Sequence, residues 1–575
     1  MNVLVPEVSE TKPSFRRKLR DFEPRPIKRP DATTVLTIYL FLLLVVPSDR
    51  GIGPLGAAGS PSTLFALAML LWWVWHHVRG IRSYQPPHLQ IVRIALFIFV
   101  GMVLASYVNS SQQAMPFIDS NGALMNLIKI AGFTGVALVA NDGLRDRDRF
   151  LVLLNRLAWF GGGYALLGLA QFFTGLNFVD QINIPGLVGG GAGGVDSRAG
   201  FVRPESTARH TLEYASVLSV TLPIALTMAI HGAEKRLRFR WLPSALICGA
   251  AMLSVTRSAL IGIVVVMLIL VPTWAPRVRK IALFAGIAGL GVLYVAVPGI
   301  AGTIIGMFSG SDSSIDSRTS SYPAISGYLL VSPWLGRGLG TMTADYRIFD
   351  NQFIGLLIEL GIVGSLAFIT LVLVSSFCTI FRRRGTDIKI SALGPAIGAG
   401  ILAAALLSAF FDSFHFPQSI GMISLMIGLA GAHWNLSPDI VDIQPVNFSS
   451  LDASTKPAKM QISRLLLVLL RWWFVVVLIL AAFIPLGLHI RGASGVFYTK
   501  FDIVFQAPPG ATKDNALRTE ASSTVHYAAM VQRIYQNKHH EADIRPVRAP
   551  LYGTGMRDIE AVYLPSSGGA VADEL

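Results

Sequence analysis

The sequence predicts an all-α polytopic membrane protein with about 12–13 transmembrane helices, two long exterior loops and a small exterior α/β tail. Three observations predict it. Only 14% of the 575 residues are charged, against about 25% in soluble domains. The hydrophobic residues, 52% of the chain, run in blocks of roughly 15–25, enough or nearly enough to cross a bilayer core of about 30 Å. Every second connection between the blocks is rich in Lys and Arg, as the positive-inside rule requires of cytoplasmic loops. A soluble enzyme, a disordered chain and a collagen-like chain are excluded. A β-barrel is excluded too, because its strands alternate apolar and polar residues.

Thirteen spans follow in order, near 33–47, 62–78, 91–108, 123–140, 151–174, 212–231, 241–255, 258–273, 281–303, 352–381, 391–410, 418–434 and 465–489. The first is preceded by a basic arm, residues 1–32, with Lys12, Arg16, Arg17, Lys18, Arg20, Arg25, Lys28 and Arg29. That arm is long for the charged region of a signal peptide, so the first span reads as an uncleaved helix. The later basic connections carry Arg79 and Arg82; Arg145, Arg147 and Arg149; Lys235, Arg236, Arg238 and Arg240; Arg277, Arg279 and Lys280; Arg382–Arg384 and Lys389; and Lys456, Lys459 and Arg464. The N-terminus is expected in the cytoplasm, and an odd number of spans puts the C-terminal tail outside.

The domain plan is therefore the arm, a transmembrane domain over 33–434, a cytoplasmic linker over 435–463, a last helix over 464–490 and an exterior tail over 491–575. In the tail, 495–506 alternates like a strand, 521–537 reads as helix and 552–564 as a further strand.

The net charge of +14 is mostly this topology signal. No aromatic-basic recognition module accompanies it, so nucleic acid is not an expected partner. The two cysteines, Cys248 and Cys378, both fall inside spans, which leaves no Cys-based metal site or disulfide framework for the loops. No Walker loop, HExxH or CxxC pair occurs. The expectation is no cofactor and no metal.

Two exterior loops stand out by length, near 175–211 and 304–351. Long loops are where function concentrates. The first turns from a glycine stretch (Gly189–Gly191, Gly193, Gly194) to charge: Arg198, Arg203, Glu205, Arg209, His210 and Glu213. The second carries Arg318, Tyr322, the run Gly336-Arg337-Gly338-Leu339-Gly340, then Asp345, Tyr346, Arg347, Asp350 and Asn351. Arginine kept on the outer side runs against the topology rule. Its planar fork suits a phosphate group, and it never loses its charge. The other reading pairs each Arg with a loop carboxylate.

Arg257 lies in Ser254-Val-Thr-Arg-Ser258, between two apolar blocks. A charge at such depth faces a polar cavity. Lys129, inside the fourth span, either does the same or snorkels to the interface. Glu359, Asp412 and His415 complete the set of intramembrane or interfacial charges. The Gly336–Gly340 run lacks a flanking strand and helix, so it is weak evidence for a nucleotide site.

Four stretches, in order, resemble the O-antigen ligase/polymerase superfamily. They are Arg203-Pro-Glu-Ser-Thr-Ala-Arg209-His210-Thr-Leu-Glu213, Ser254-Val-Thr-Arg257, the loop from Arg318 through Pro333-Trp-Leu-Gly336-Arg-Gly338-Leu-Gly340, and Asp350-Asn351 followed by Gly361-Ile-Val-Gly364. The resemblance covers roughly 90–435. It implies an all-helical, metal-independent glycosyltransferase of the plasma (inner) membrane. Such enzymes take a glycan from a polyprenyl-diphosphate carrier at the exterior face. Polymerases pass it to another glycan, and ligases to a lipid or protein.

By the same resemblance Arg203 and Arg257 hold the diphosphate leaving group. Arg318, Arg209, His210, Lys129, Arg337, Tyr346, Asn351 and Asp412 are candidates for binding substrate. Ligases of this family usually have His just before the Asn of the last motif. Here that residue is Asp350, which leans the reading toward a polymerase with Asp350 as the acceptor base. The alternative for Asp350 is a helix N-cap. The alternatives for the protein are a ligase and, from another class, a polysaccharide or lipid transporter. The last span and tail weakly resemble polysaccharide chain-length regulators, which implies a regulatory module and other polysaccharide-assembly proteins as partners. A structured tail with no part in the chemistry is the other reading.

Overall fold

The computed structural model describes residues 31–79, 90–113, 115–179, 182, 184–189, 197–198, 200–232, 237–299, 302, 325–329, 332–342, 349–381 and 387–436, with two short pieces at 545–546 and 561–562. The chain runs through α1 (Ala32–Leu44), α2 (Pro61–Val78), α3 (Ile91–Ser111), α4 (Phe117–Gly143), α5 (Arg147–Thr174), α6 (Thr211–His231), α7 (Leu237–Leu253), α8 (Arg257–Leu270) and α9 (Pro276–Ala296). It continues through the short α10 (Ile325–Leu329), then α11 (Gln352–Glu359), α12 (Gly361–Phe381), α13 (Ile388–Leu407) and α14 (Pro417–Leu436). The all-α polytopic expectation holds. Eight of these helices are long and apolar enough to cross a membrane, and α1, α7 and α8 are shorter apolar helices.

Each of the first twelve predicted spans is a helix, with one correction. The stretch read as a single span over 352–381 is two helices, α11 and α12, parted at Leu360 and Gly361. Gly361 takes a left-handed φ of 68°, a conformation glycine adopts without steric cost. The thirteenth span, 465–489, lies outside the described residues, as do the tail readings at 495–506 and 521–537. From the tail, Arg545–Pro546 pairs antiparallel with Ala561–Val562, the latter inside the strand read at 552–564.

Helix ends are fixed locally. Asp31 caps α1 by accepting from Thr34 N at 2.9 Å. Ser60 caps α2 just ahead of Pro61, and Asp387 caps α13 by accepting from Lys389 N at 2.9 Å. Each cap satisfies backbone N–H groups that the first turn leaves without a partner.

The core lies around α6, α13 and α14, which are buried on nearly all faces. Small residues let these helices close on their neighbours, as in other membrane bundles. A Cβ on Gly428 would sit 2.5 Å from the carbonyl oxygen of Ala137, and one on Gly161 would sit 2.7 Å from Cβ of Thr221. Pro223, Pro243 and Pro395 lie inside helices, where neighbouring helices make them tolerable. Large apolar side chains point outward along the bundle, among them Ile98, Phe284, Leu366 and Leu268. In water they would be a liability, and in lipid they are the contact surface.

Helix ends gather in two places: Arg147 pairs with Asp387, and Thr227 and His231 lie with Trp274 and Ser391, in one, while Ser48 bonds Glu213 and Thr207 bonds Leu44 in the other. One end carries the described cations Arg145, Arg147, Arg149, Arg240, Arg277, Arg279, Lys280 and Lys389. The other carries the long loops. There a hairpin pairs Ser197–Arg198 (β1) with Phe201–Val202 (β2), and Gly51 bridges to Val188.

Candidate active site

The start of α6 is anchored from four directions. Gln171 of α5 accepts from Ser206 N at 2.6 Å and Glu205 N at 3.1 Å, and donates to the carbonyl of Ser206 at 3.0 Å. Thr207 Oγ1 donates to the carbonyl of Leu44 at 2.8 Å. Gln418 Nε2 donates to Thr207 Oγ1 at 3.0 Å. His210 is the N-cap, accepting from Leu212 N at 3.1 Å. Three residues on, the fully buried Glu213 reaches back to Arg209 N at 2.9 Å and also accepts from Ser48 Oγ and Gln418 N. This is the reciprocal logic of a capping box. It holds the backbone of Arg209 in place while the side chain of Arg209 is exposed. Arg203, half-buried, follows β2.

Arg257 is the first residue of α8. The turn before it is tight. Val255 is buried with a φ of 50°, an outlying conformation for a β-branched residue. Ser254 Oγ donates to the carbonyl of Ala251 at 2.8 Å and lies 2.8 Å from Thr256 Oγ1. Val255 belongs to an apolar cluster with Leu253 and Val297, against which Leu169, Phe172 and Phe201 pack. Phe201 stacks on Phe172 with centroids 6.2 Å apart. Phe201 stands two residues before Arg203, and Val255 two before Arg257. One cluster therefore anchors both arginine segments.

The break between α11 and α12 is filled by the glycine run. Gly338 N donates to the carbonyl of Glu359 at 2.9 Å and Arg337 N to that of Ile358 at 3.2 Å, while Ile362 N donates to Pro333 O at 2.9 Å. Ser106 Oγ also donates to Glu359 O, at 2.8 Å. Gly336, Gly338 and Gly340 all have positive φ. The run is thus a bracket that satisfies backbone groups inside the bundle. Arg337 faces the buried Asp119 at 3.9 Å, the carboxylate pairing that was its alternative reading.

At the entry to α11, Asn351 is the N-cap, accepting from Phe353 N at 3.0 Å. The cap is Asn351 and not Asp350, and capping is the role seen here for Asn351. Asp350 stands one residue earlier, exposed, with φ 28°. Gln352 N donates to Ser408 O at 2.8 Å and Gln352 Oε1 accepts from Phe414 N at 2.6 Å, which ties α11 to the turn between α13 and α14.

That turn carries Asp412 and His415, which pair with each other. The hydrogen bond to Asp412 raises the pKa of His415, against the opposing effect of burial. Lys129, 2% exposed, donates to the carbonyl of Phe414 at 2.5 Å. The charges acting on it are Asp412, Glu213 and Arg209. Lys129 therefore does not snorkel to an interface.

The structure thus brings Lys129, Asp412, Arg209, His210 and Asn351 around the 408–418 turn, and Arg203 and Arg257 around a second cluster. Arg318 and Tyr346 lie outside the described residues. Among the described residues no group of three or more His, Cys, Asp or Glu is placed to hold a metal ion. Sequence reasoning did not single out Gln171, Gln418, Gln352 or Asp119. A lone amide or carboxylate at the end of an apolar block was the available signal.

Residues 242–369 match the Wzy_C family model, described as O-antigen ligase. The match supports membership of the O-antigen ligase/polymerase superfamily. The matched segment runs from α7 into α12 and includes Arg257, Arg337, Asp350 and Asn351. Arg203, Arg209, His210, Lys129 and Asp412 lie outside it. No curated protein matches the chain. With the apolar helices, the match supports a multi-pass membrane protein with activity of the O-antigen ligase/polymerase type, acting on a lipid-linked oligosaccharide.

Proposed function

We propose that the protein polymerises polyprenyl-diphosphate-linked oligosaccharide repeat units at the exterior face of the plasma membrane. The reading rests on one observation above others. Arg257 opens α8 within the matched segment, behind a left-handed residue that shares an apolar cluster with the segment carrying Arg203. Two arginines on segments held by one cluster suit a diphosphate, and charge on a departing phosphate is stabilised best by cations fixed in advance.

In the proposed step, a hydroxyl oxygen of the acceptor glycan attacks the anomeric carbon of the donor. The bond from that carbon to the diphosphate oxygen breaks. The hydroxyl proton passes to Asp350, and the polyprenyl diphosphate leaves on Arg203 and Arg257. Arg318 or Lys129 assists in holding the anion. No metal is required, because the leaving group's charge is met by side chains. The end with the long loops is the exterior one, since the opposite end bears the Lys and Arg of the short connections. The N-terminus is then cytoplasmic and the tail exterior.

A ligase is the second reading, favoured by the description of the matching family. Against it stands Asp350 in the place where ligases carry His. Transport is disfavoured, because the carbonyls at the α11–α12 break are taken by the glycine run and Ser106. Purified protein with labelled polyprenyl-diphosphate oligosaccharide, and no other acceptor, should give a ladder at repeat-unit spacing. A single transfer that needs an added acceptor would replace polymerase by ligase. No covalent product from folded protein under either condition would sink both.

A further inference from the structure

The basic end of the bundle holds a feature with no part in glycan transfer. A cavity of roughly 320 Å³ opens there between α6, the 271–275 connection, α9 and α13, at the lower limit of small-molecule sites. Thr227, His231 and Ser391 give it a polar side, and Trp274, Val278 and Pro395 an apolar one. Thr227 is 2% exposed, and its hydroxyl has no hydrogen-bond partner. A buried hydroxyl left unpaired is costly, and native structures seldom leave one. His231 Nδ1 donates to the carbonyl of Thr227 at 3.1 Å, which orients the ring.

Beside His231 runs Arg240. Its Cδ lies 3.4 Å from where a Cβ on Gly232 would stand, so its stem crosses the residue that follows His231. Arg240 Nε is buried and has no hydrogen-bond partner. Thr227 thus lines the cavity with an unpaired hydroxyl, and Arg240 brings a second unpaired donor past Gly232, next to the lining residue His231. Two other charged groups nearby are occupied. Arg279 donates to the carbonyls of Trp274 and Pro272, both at 2.8 Å. Asp387 caps α13 and pairs with Arg147.

We propose that this cavity binds an anionic phospholipid, its phosphate on Arg240 and Thr227 and the top of an acyl chain along Trp274, Val278 and Pro395. Polar donors beside an apolar wall, at the end of a bundle rich in cations, fit a lipid headgroup with its chain attached. A sugar or nucleotide would waste the apolar wall. A free phosphate would use only the donors.

Native mass spectrometry of the full-length protein, stripped of lipid and offered phosphatidylglycerol or phosphatidylcholine, tests the assignment. Phosphatidylglycerol should be retained in preference, a comparison that needs no variant to fold. Arg240→Gln should weaken its retention about fivefold, the effect of one interfacial cation. Thr227→Val, which keeps the shape, should weaken it in the same sense, and Ala392→Phe should block it by filling the space. Arg145→Gln, an exposed cation of the same end, should change nothing. Equal retention of the two lipids would overturn the proposal, as would equal losses in Arg145→Gln and Arg240→Gln. Binding of inorganic phosphate without retention of either lipid would reduce the site to an anion site and overturn the lipid assignment.

Discussion

Lys129 donates to the carbonyl of Phe414 at 2.5 Å, joining the middle of α4 to the turn that carries Asp412 and His415. The same turn is held from the other side by Gln352, whose Oε1 accepts from Phe414 N at 2.6 Å. One peptide segment is therefore fixed by a cation and an amide from two helices. An ammonium inside an apolar helix marks a functional site by default. Lys129→Met keeps the stem and removes the donor. A hydrogen bond from a charged group contributes about 1.5–3 kcal/mol to stability, so the melting temperature should fall, and transfer with it as the turn loses its hold, while helix content by circular dichroism is kept. Full activity in Lys129→Met would reduce the lysine to a structural accident.

Arg257→Ala should abolish detectable transfer, and Arg257→Lys should restore little of it. A lysine keeps the charge but loses the fork that grips two phosphate oxygens at once. Removal of one preorganised donor to a developing anion typically lowers turnover by about 10²–10³. The check is product formation at saturating donor, with melting temperature measured alongside. A lysine variant near the unaltered rate would show that charge alone is needed.

The position of Arg257 between two apolar helices was legible, because a charge between two apolar blocks marks where one ends and the next begins. The helices themselves were legible for a similar reason, since a bilayer fixes their length and composition. The break at Leu360 and Gly361 was not. No proline marks it, and Gly361 sits in an otherwise ordinary apolar run. What makes the break stable is the 332–340 segment, whose N–H groups take the freed carbonyls, and that partnership is tertiary. The same holds for Arg337 beside Asp119 and for Glu213 beneath Ser48 and Gln418. Each partner is far away in sequence, so the residue alone reads as one more loop charge.

The break itself can be tested. A Cβ on Gly361 would lie 2.7 Å from Gly336 N, and the residue has φ 68°. Gly361→Ala therefore meets backbone on one side and a disfavoured conformation on the other, at a cost of about 1–3 kcal/mol. The melting temperature of the detergent-solubilised protein should drop. Gly163→Ala serves as the control, because nothing lies within 4 Å of its added methyl group. Equal melting temperatures for the two variants would contradict the bracket.

Asp350 is exposed and left-handed, and Asn351 supplies the cap. Asp350→Asn tolerates that backbone, since Asn adopts the left-handed region with Asp. The variant should fold, yet lose about 10²–10⁴ in transfer rate if the carboxylate accepts the acceptor's proton. Asn351→Ala should instead lower stability by about 1 kcal/mol through loss of the cap. A folded Asp350→Asn variant with the unaltered rate would move the base elsewhere.

His415 offers a pH signature. Its pKa is raised by the hydrogen bond to Asp412, so the folded state holds the proton more tightly than the unfolded chain. The pair's contribution to stability is then complete below the ordinary histidine pKa of about 6.5 and is lost as pH rises through the higher folded value. Half-exposure of both partners keeps the effect small. The gap in melting temperature between the unaltered protein and His415→Gln should be widest at the acid side and close as pH rises. A gap that widens with pH would reverse the sign and show that the neutral ring is the form the fold prefers.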